Sequence, residues 1–222
     1  GVVSTVLNQT MFGCSHVGVN FVLVTVSDAS GNTFESVVTV SVSDSITPSV
    51  TLANPTLALN SSGLYVLSVA NAVSSATDNC EVEVTLSQSV FSCTDLGAVS
   101  VVVFGTDPSG NQRVRTLMTS VVDVIPPTSS LTQHSVALNG SGMAVVASSD
   151  FVMSSSDNCA VSGTSVNQTL FGCSHVGVNS VTVTTTDSSG NSFDQYTSLV
   201  VSDDELPVVT TVGMFGVNLD AN

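Results

Sequence analysis

The chain has 222 residues, which as a length suits one or two domains. Its 17 acidic residues face two Arg (Arg113, Arg115) and no Lys, for a formal net charge of −15; this excludes nucleic acid, whose phosphates need cations, disfavours an anionic membrane surface, and leaves cations as the small partners the charge suits. Hydrophobic residues make up 42%, mostly Val beside abundant Ser and Thr and with no Trp, a mix that favours strands over helices, and no apolar run approaches the ~18 residues of a membrane span.

In chain order, the phrase CSHVGVNFVLVTVSDASGN at residues 14–32 comes first. A worn version, CTDLGAVSVVVFGTDPSGN, follows at 93–111, and a close copy, CSHVGVNSVTVTTTDSSGN, at 173–191. Cys14, Cys93 and Cys173 are spaced by 79 and 80 residues (93 − 14, 173 − 93), and the Asp-x-Ser-Gly-Asn turns beginning at Asp28, Asp107 and Asp187 keep the same two intervals. Thr47-Pro48, Pro126-Pro127 and Leu206-Pro207 recur likewise, as do TDNC ending at Cys80 and SDNC ending at Cys159. Coincident landmarks at one period mean a repeat array. The boundaries are residues 1–45 for the later part of one repeat, 46–125 and 126–205 for complete repeats, and 206–222 for the first strand or strands of another. Both ends then fall inside a repeat, so a longer polypeptide is expected; a rival reading has the C-terminal segment of one molecule add a strand to the first repeat of the next.

Within repeat 46–125, strands are predicted over 49–54, 81–87, 99–105 and 113–122. Residues 56–69 read as a hairpin turning at 60–63, where Asn and Gly tolerate left-handed backbone. Asp107 to Asn111 makes a turn, with Gly110 supplying a positive φ, and the Pro pair ends strand pairing. Six or seven short strands with turns about every ten residues predict an all-β chain of β-sandwiches, each repeat about 80 residues long. Val22, Val101 and Val181, then Val24, Val103 and Val183, and later Val42, Val121 and Val201, align across repeats and form the predicted core. Phe21, Leu23, Val102 and Phe104 lie on the opposite face of the same strands and are candidates for a lateral assembly contact.

The segments ATDNC, VFSC, GAVSVVVFGTDPSGN and VVDVIPP of the middle repeat together resemble hyalin-repeat (HYR-like) modules, and the likeness covers essentially the whole chain. The resemblance implies tandem immunoglobulin-like sandwiches in extracellular or cell-surface arrays, without chemistry of their own. The cysteines depart from it: hyalin repeats place Cys near positions held here by Thr51 and Ser36 or their neighbours.

Cys80 and Cys93 are 13 apart and Cys159 and Cys173 are 14 apart (93 − 80, 173 − 159), so Cys80–Cys93 and Cys159–Cys173 are the expected disulfides, with Cys14 bonded to a residue upstream of this sequence. That chemistry belongs to an oxidising compartment. Zinc is disfavoured, because Asp95 replaces in the middle repeat the His that follows Cys14 and Cys173 as His16 and His175. For calcium, the candidates are Asp44, Asp123, Asp203 and Asp204 near the linkers, with Asp78 and Asp157 in the Asp-Asn loops; the competing reading is that these acids cap turns. Sequons stand at Asn8, Asn60, Asn139 and Asn167, so attached glycans are possible partners. No nucleophile–base set recurs, so no enzyme is expected. A carbohydrate-binding module is disfavoured by two Tyr and no Trp. The expected function is that of a structural segment of a secreted array that self-associates into a fibre or filament, the alternative being the stalk of an adhesin whose binding domain lies elsewhere.

Overall fold

The strand Gly97–Thr106 buries alternate residues, Val101, Val103 and Gly105, as a strand with one face on a core must. Gly177–Asp187 does the same with Val181, Val183, Thr185 and Asp187. These two strands organise the molecule. The computed structural model describes residues 1–210 and residue 213, and the chain forms two units, Gly1–Asp123 and Val124–Asn222.

In the first unit, Gly97–Thr106 pairs antiparallel with Gln112–Val122 and with Glu83–Leu86, and Gln112–Val122 pairs in parallel with Thr56–Ala58. Two ribbons form the second layer: Ser49–Leu52 with Val73–Thr77, and Leu64–Val66 with Val90–Ser92. Val50, Leu57, Leu67, Phe91, Val101, Val103, Leu117 and Val121 fill the space between. The unit also holds a three-stranded antiparallel sheet of Val2–Leu7, Gly18–Asp28 and Thr33–Val42. There Val22 is buried, but Val24 and Val42 are only half-buried, because among the described residues this sheet has no facing ribbons of the kind the sandwich has.

The second unit repeats the sandwich. His134–Ala137, Ser192–Ser202, Gly177–Asp187 and Val161–Val166 form one layer, again with one parallel pair. Thr128–Leu131 with Val152–Ser156, and Met143–Val145 with Leu170–Gly172, form the other. Its core holds Leu138, Val146, Phe151, Phe171, Val181, Val183, Leu199 and Val201. The chain is thus all-β, a tandem of β-sandwiches.

One compensated pair shows how closely the layers are fitted. A Cβ on Gly105 would come within 2.5 Å of Val50 Cγ2, so the bulk of Val50 requires glycine opposite. At the equivalent place in the second unit stand Ser129 and Thr185, whose hydroxyls share a hydrogen bond of 2.5 Å.

Two expectations need correction. The 56–69 segment is not a hairpin. Its turn forms, with Gly63 N–H donating to Asn60 O at 2.8 Å and Asn60 Oδ1 accepting from Ser62 and Leu64 N–H. The flanking strands then join different layers, since Leu57 and Leu59 are needed in the core while Leu64–Val66 pairs with Val90–Ser92. The strand count from residue 46 to 125 is eight, Val73–Thr77 and Val90–Ser92 having been missed together with the short helix Val69–Ala72. The segment 206–222, expected to begin another repeat, lies mostly outside the described residues.

Candidate metal centre

Three loops of the first unit each deliver a carboxylate within two residues of a strand's end. Asp44 follows Thr33–Val42, Asp78 follows Val73–Thr77, and Asp107 follows Gly97–Thr106. One oxygen from each lies within 4.8 Å of the others. Local hydrogen bonds fix each side chain. Asp44 Oδ1 accepts from Ile46 N–H at 3.1 Å, and Asp78 Oδ2 accepts from Cys80 N–H at 3.2 Å. Asp107 accepts from the backbone N–H of Asn111 at 2.8 Å and from its Nδ2 at 2.7 Å. Asn111 Nδ2 also donates to the Asp44 carbonyl at 3.2 Å, tying the turn to the segment that carries Asp44. Two oxygens remain over: Asp44 Oδ2 and Asp78 Oδ1 are buried and accept no hydrogen bond. Crowded carboxylates with buried unpaired oxygens are stabilised by a cation and destabilised without one. The chain has no Lys to serve, and Arg113 Nε donates instead to Pro48 O at 3.2 Å.

Burial works to raise the Asp107 carboxyl, but the hydrogen bonds from Asn111, Ser109 and Gly110 outweigh it and hold the group below the usual carboxylate range. Asp28, at the same place in the first sheet, is held low chiefly by the Asn32 side chain and backbone. Asp123, Asp157 and Asp187 stand 79, 79 and 80 residues beyond Asp44, Asp78 and Asp107 (123 − 44, 157 − 78, 187 − 107), and Asp187, 2% exposed, anchors its own turn through Asn191 N–H at 2.8 Å. Asp203 accepts from Glu205 N–H and Asp204 from Ser202 Oγ, and among the described residues neither joins an acidic cluster.

The disulfides correct the sequence reading. Cys14 bonds Cys80, 66 residues on, rather than a residue upstream of the chain. Cys93 and Cys159 are also disulfide-bonded. Cys173 is a free, exposed thiol, so neither Cys80–Cys93 nor Cys159–Cys173 forms. The obstacle is distance. Cys80 precedes Glu83, which pairs with Thr106 at one end of Gly97–Thr106, while Cys93 precedes Gly97 at the other end. Ten residues of strand span roughly 30 Å, whereas bonded cysteines need Cα atoms about 4–7 Å apart. Cys159 and Cys173 are divided in the same way by Gly177–Asp187. Nearness in sequence misled because each Cys pair brackets a strand's length.

The other singled-out residues have structural work. His16 and His175 accept through Nδ1 from the N–H of Gly13 and Gly172, each at 3.1 Å. Asp95 does the same for Ser92 N–H at 2.8 Å, which explains why His and Asp interchange there. The sequon residues are all exposed, and each Oδ1 accepts backbone N–H: Asn8 from Leu23, Asn167 from Thr182, Asn60 and Asn139 within their own turns. Phe21 is 70% exposed, while Leu23, Val102 and Phe104 are half-buried. No catalytic constellation is assembled among the described residues.

No protein-family model matches this chain, and no curated protein does. Solved structures similar to it include protocadherin gamma B2 extracellular cadherin domains 1–5, with TM-score 0.39 and 13% identity, covering 88% of this chain and 48% of that one. Drosophila N-cadherin EC1–4 gives 0.38 and 14%, covering 84% and 57%. Human mucin-like protocadherin EC1–2 gives 0.37 and 11%, covering 70% and 97%. This chain therefore spans about half the length of the protocadherin gamma B2 chain. The fold assignment rests on the strand pairing given above.

Proposed function

We propose that the chain is a structural segment of an extracellular, HYR-like repeat array whose copies associate laterally into a fibre. The observation that carries this reading is recurrence: one sandwich, with equivalent buried Val and Phe positions and the same acid-anchored turn, is written again 79 to 80 residues on. Four of the five cysteines are disulfide-bonded, which supports an oxidising, extracellular location. Phe21, with Leu23, Val102 and Phe104, supplies the apolar side of the lateral contact, and glycans on Asn8, Asn60, Asn139 and Asn167 would sit on exposed turns and strand ends. Calcium is the cofactor in this reading, held by Asp44, Asp78 and Asp107 of the first unit. Asp123, Asp203 and Asp204 remain weaker candidates.

The second reading is the stalk of a cell-surface adhesin. It is favoured by the half-burial of Leu23, Val102 and Phe104, which leaves Phe21 as the single fully offered member of the lateral patch. Negative-stain microscopy of purified protein in calcium separates the two. Ordered filaments that Phe21→Ser abolishes support the fibre; single rods at every concentration reject it in favour of the stalk.

A further inference from the structure

Building on the reading of Asp44, Asp78 and Asp107 as a calcium site, we propose that the Cys14–Cys80 disulfide clasps that site, so that calcium affinity and resistance of the disulfide to reduction rise and fall together. Asp78 and Cys80 belong to one short loop. The Cys80 N–H that donates to Asp78 Oδ2 sets the carboxylate's rotation and leaves Oδ1 buried and without a partner. The carbonyl oxygen of Asn79, between them, lies 3.4 Å from Cys14 Sγ. The disulfide therefore touches the loop at Cys80 and at the adjoining Asn79 carbonyl, one residue from Asp78. A cleft of about 290 Å³ opens beside it, walled by Cys14, Cys80, Val42 and Asp44, so the disulfide and one carboxylate of the cluster border the same space.

The chemistry suits calcium over magnesium. Three carboxylates fixed by their own loops give an irregular oxygen set, and calcium accepts six to eight oxygens in flexible geometry, whereas magnesium demands a near-ideal octahedron. Water entering from the cleft completes the shell, and so incomplete a protein cage places the dissociation constant at about 10⁻⁴ to 10⁻³ M. Without a cation, Asp44 and Asp107 repel Asp78 and push its loop outward. The disulfide resists that push, since Cys14 belongs to the turn Cys14–His16 next to the first sheet. Once the bond is cut the loop withdraws, and an arriving ion must draw it back. By linkage the ion must then protect the bond.

The test uses the full chain stripped of metal by chelator and titrated calorimetrically with calcium chloride. Asp78→Asn, with the disulfide intact, identifies the part of the isotherm that belongs to this site. Cys14→Ser/Cys80→Ser is expected to weaken that part about tenfold. A second measurement needs no variant. Wild-type protein is exposed to dithiothreitol, which supplies the two electrons, and alkylation of Cys14 and Cys80 is followed by peptide mass with calcium or with EDTA. Calcium is expected to slow it several-fold while alkylation of free Cys173 keeps its rate. Calcium binding with unchanged affinity in the double variant and unchanged reduction rates would overturn the clasp while leaving the calcium site standing. Absence of binding heat in wild type, with a melt indifferent to EDTA, would overturn the calcium reading and the clasp with it.

Discussion

Residues 18–42 and 97–122 are two hairpins of one pattern, and both reverse through an Asp-x-Ser-Gly-Asn turn. In each, Asp Oδ1 accepts the N–H of the closing Asn and Oδ2 accepts its Nδ2. Gly31 and Gly110 both carry a positive φ, 84° and 88°. Their surroundings differ. Asp107 is 5% exposed and meets Asp44 and Asp78, whereas Asp28 is half-buried and joins no cluster among the described residues. Leu117 is 1% exposed, whereas Val38, its equivalent, is 43% exposed. The turn's local chemistry is the same in both places, so the turn alone is not a site. It becomes a candidate site only where two further loops bring carboxylates to it, and the strand becomes core only where a second layer covers it.

The largest effect should come from the core. Leu117→Ala is expected to cost about 2–5 kcal/mol in urea unfolding, and Val38→Ala under about 1 kcal/mol; equal costs would show the two hairpins to be equally covered. Next is the fitted pair. Gly105→Ala should cost about 1–3 kcal/mol by overpacking against Val50, and adding Val50→Ala should cost less than the sum of the two single changes. A strictly additive double variant would remove the contact. Smaller still is the ligand effect. Calcium at a few millimolar should raise the melting temperature of wild type by about 2–8 °C over EDTA. Asp28→Asn should keep that rise and Asp107→Asn should lose it.

The smallest expected effect is a shared pH dependence. Both Asp28 and Asp107 have folded-state values below the usual carboxylate range. Their contribution to stability is therefore complete above the unfolded value of about 3.9 and is lost as pH falls through the lower folded value. Melting temperature should decline below about pH 4, and Asp28→Asn should lower the curve above pH 5 and flatten part of that decline.

Most of the architecture was legible because its signals are local. The 79- and 80-residue periods, the alternation through Val101 and Val103, and the Gly110 turn each follow from a few neighbouring residues. What escaped was set by distance across the fold. Asp44 and Asp78 were readable as acids near loops, but Asp107 looked fully employed as a turn anchor, and only the packing of three strand ends shows that it shares their space. The Thr56–Ala58 strand looked like half a hairpin, because sequence spacing cannot tell a turn within one layer from a crossing between two. The interchange of His16 with Asp95 was visible but unexplained until both proved to accept a backbone N–H.

The pairing of the cysteines is where the account is most exposed. Proteolysis of unreduced protein under thiol-blocking conditions, followed by peptide mass analysis, should yield a linked peptide containing Cys14 and Cys80, with Cys173 carrying the blocking group. A linked peptide containing Cys80 and Cys93 would contradict it, for those residues could bond only if the strand Gly97–Thr106 did not stand between them.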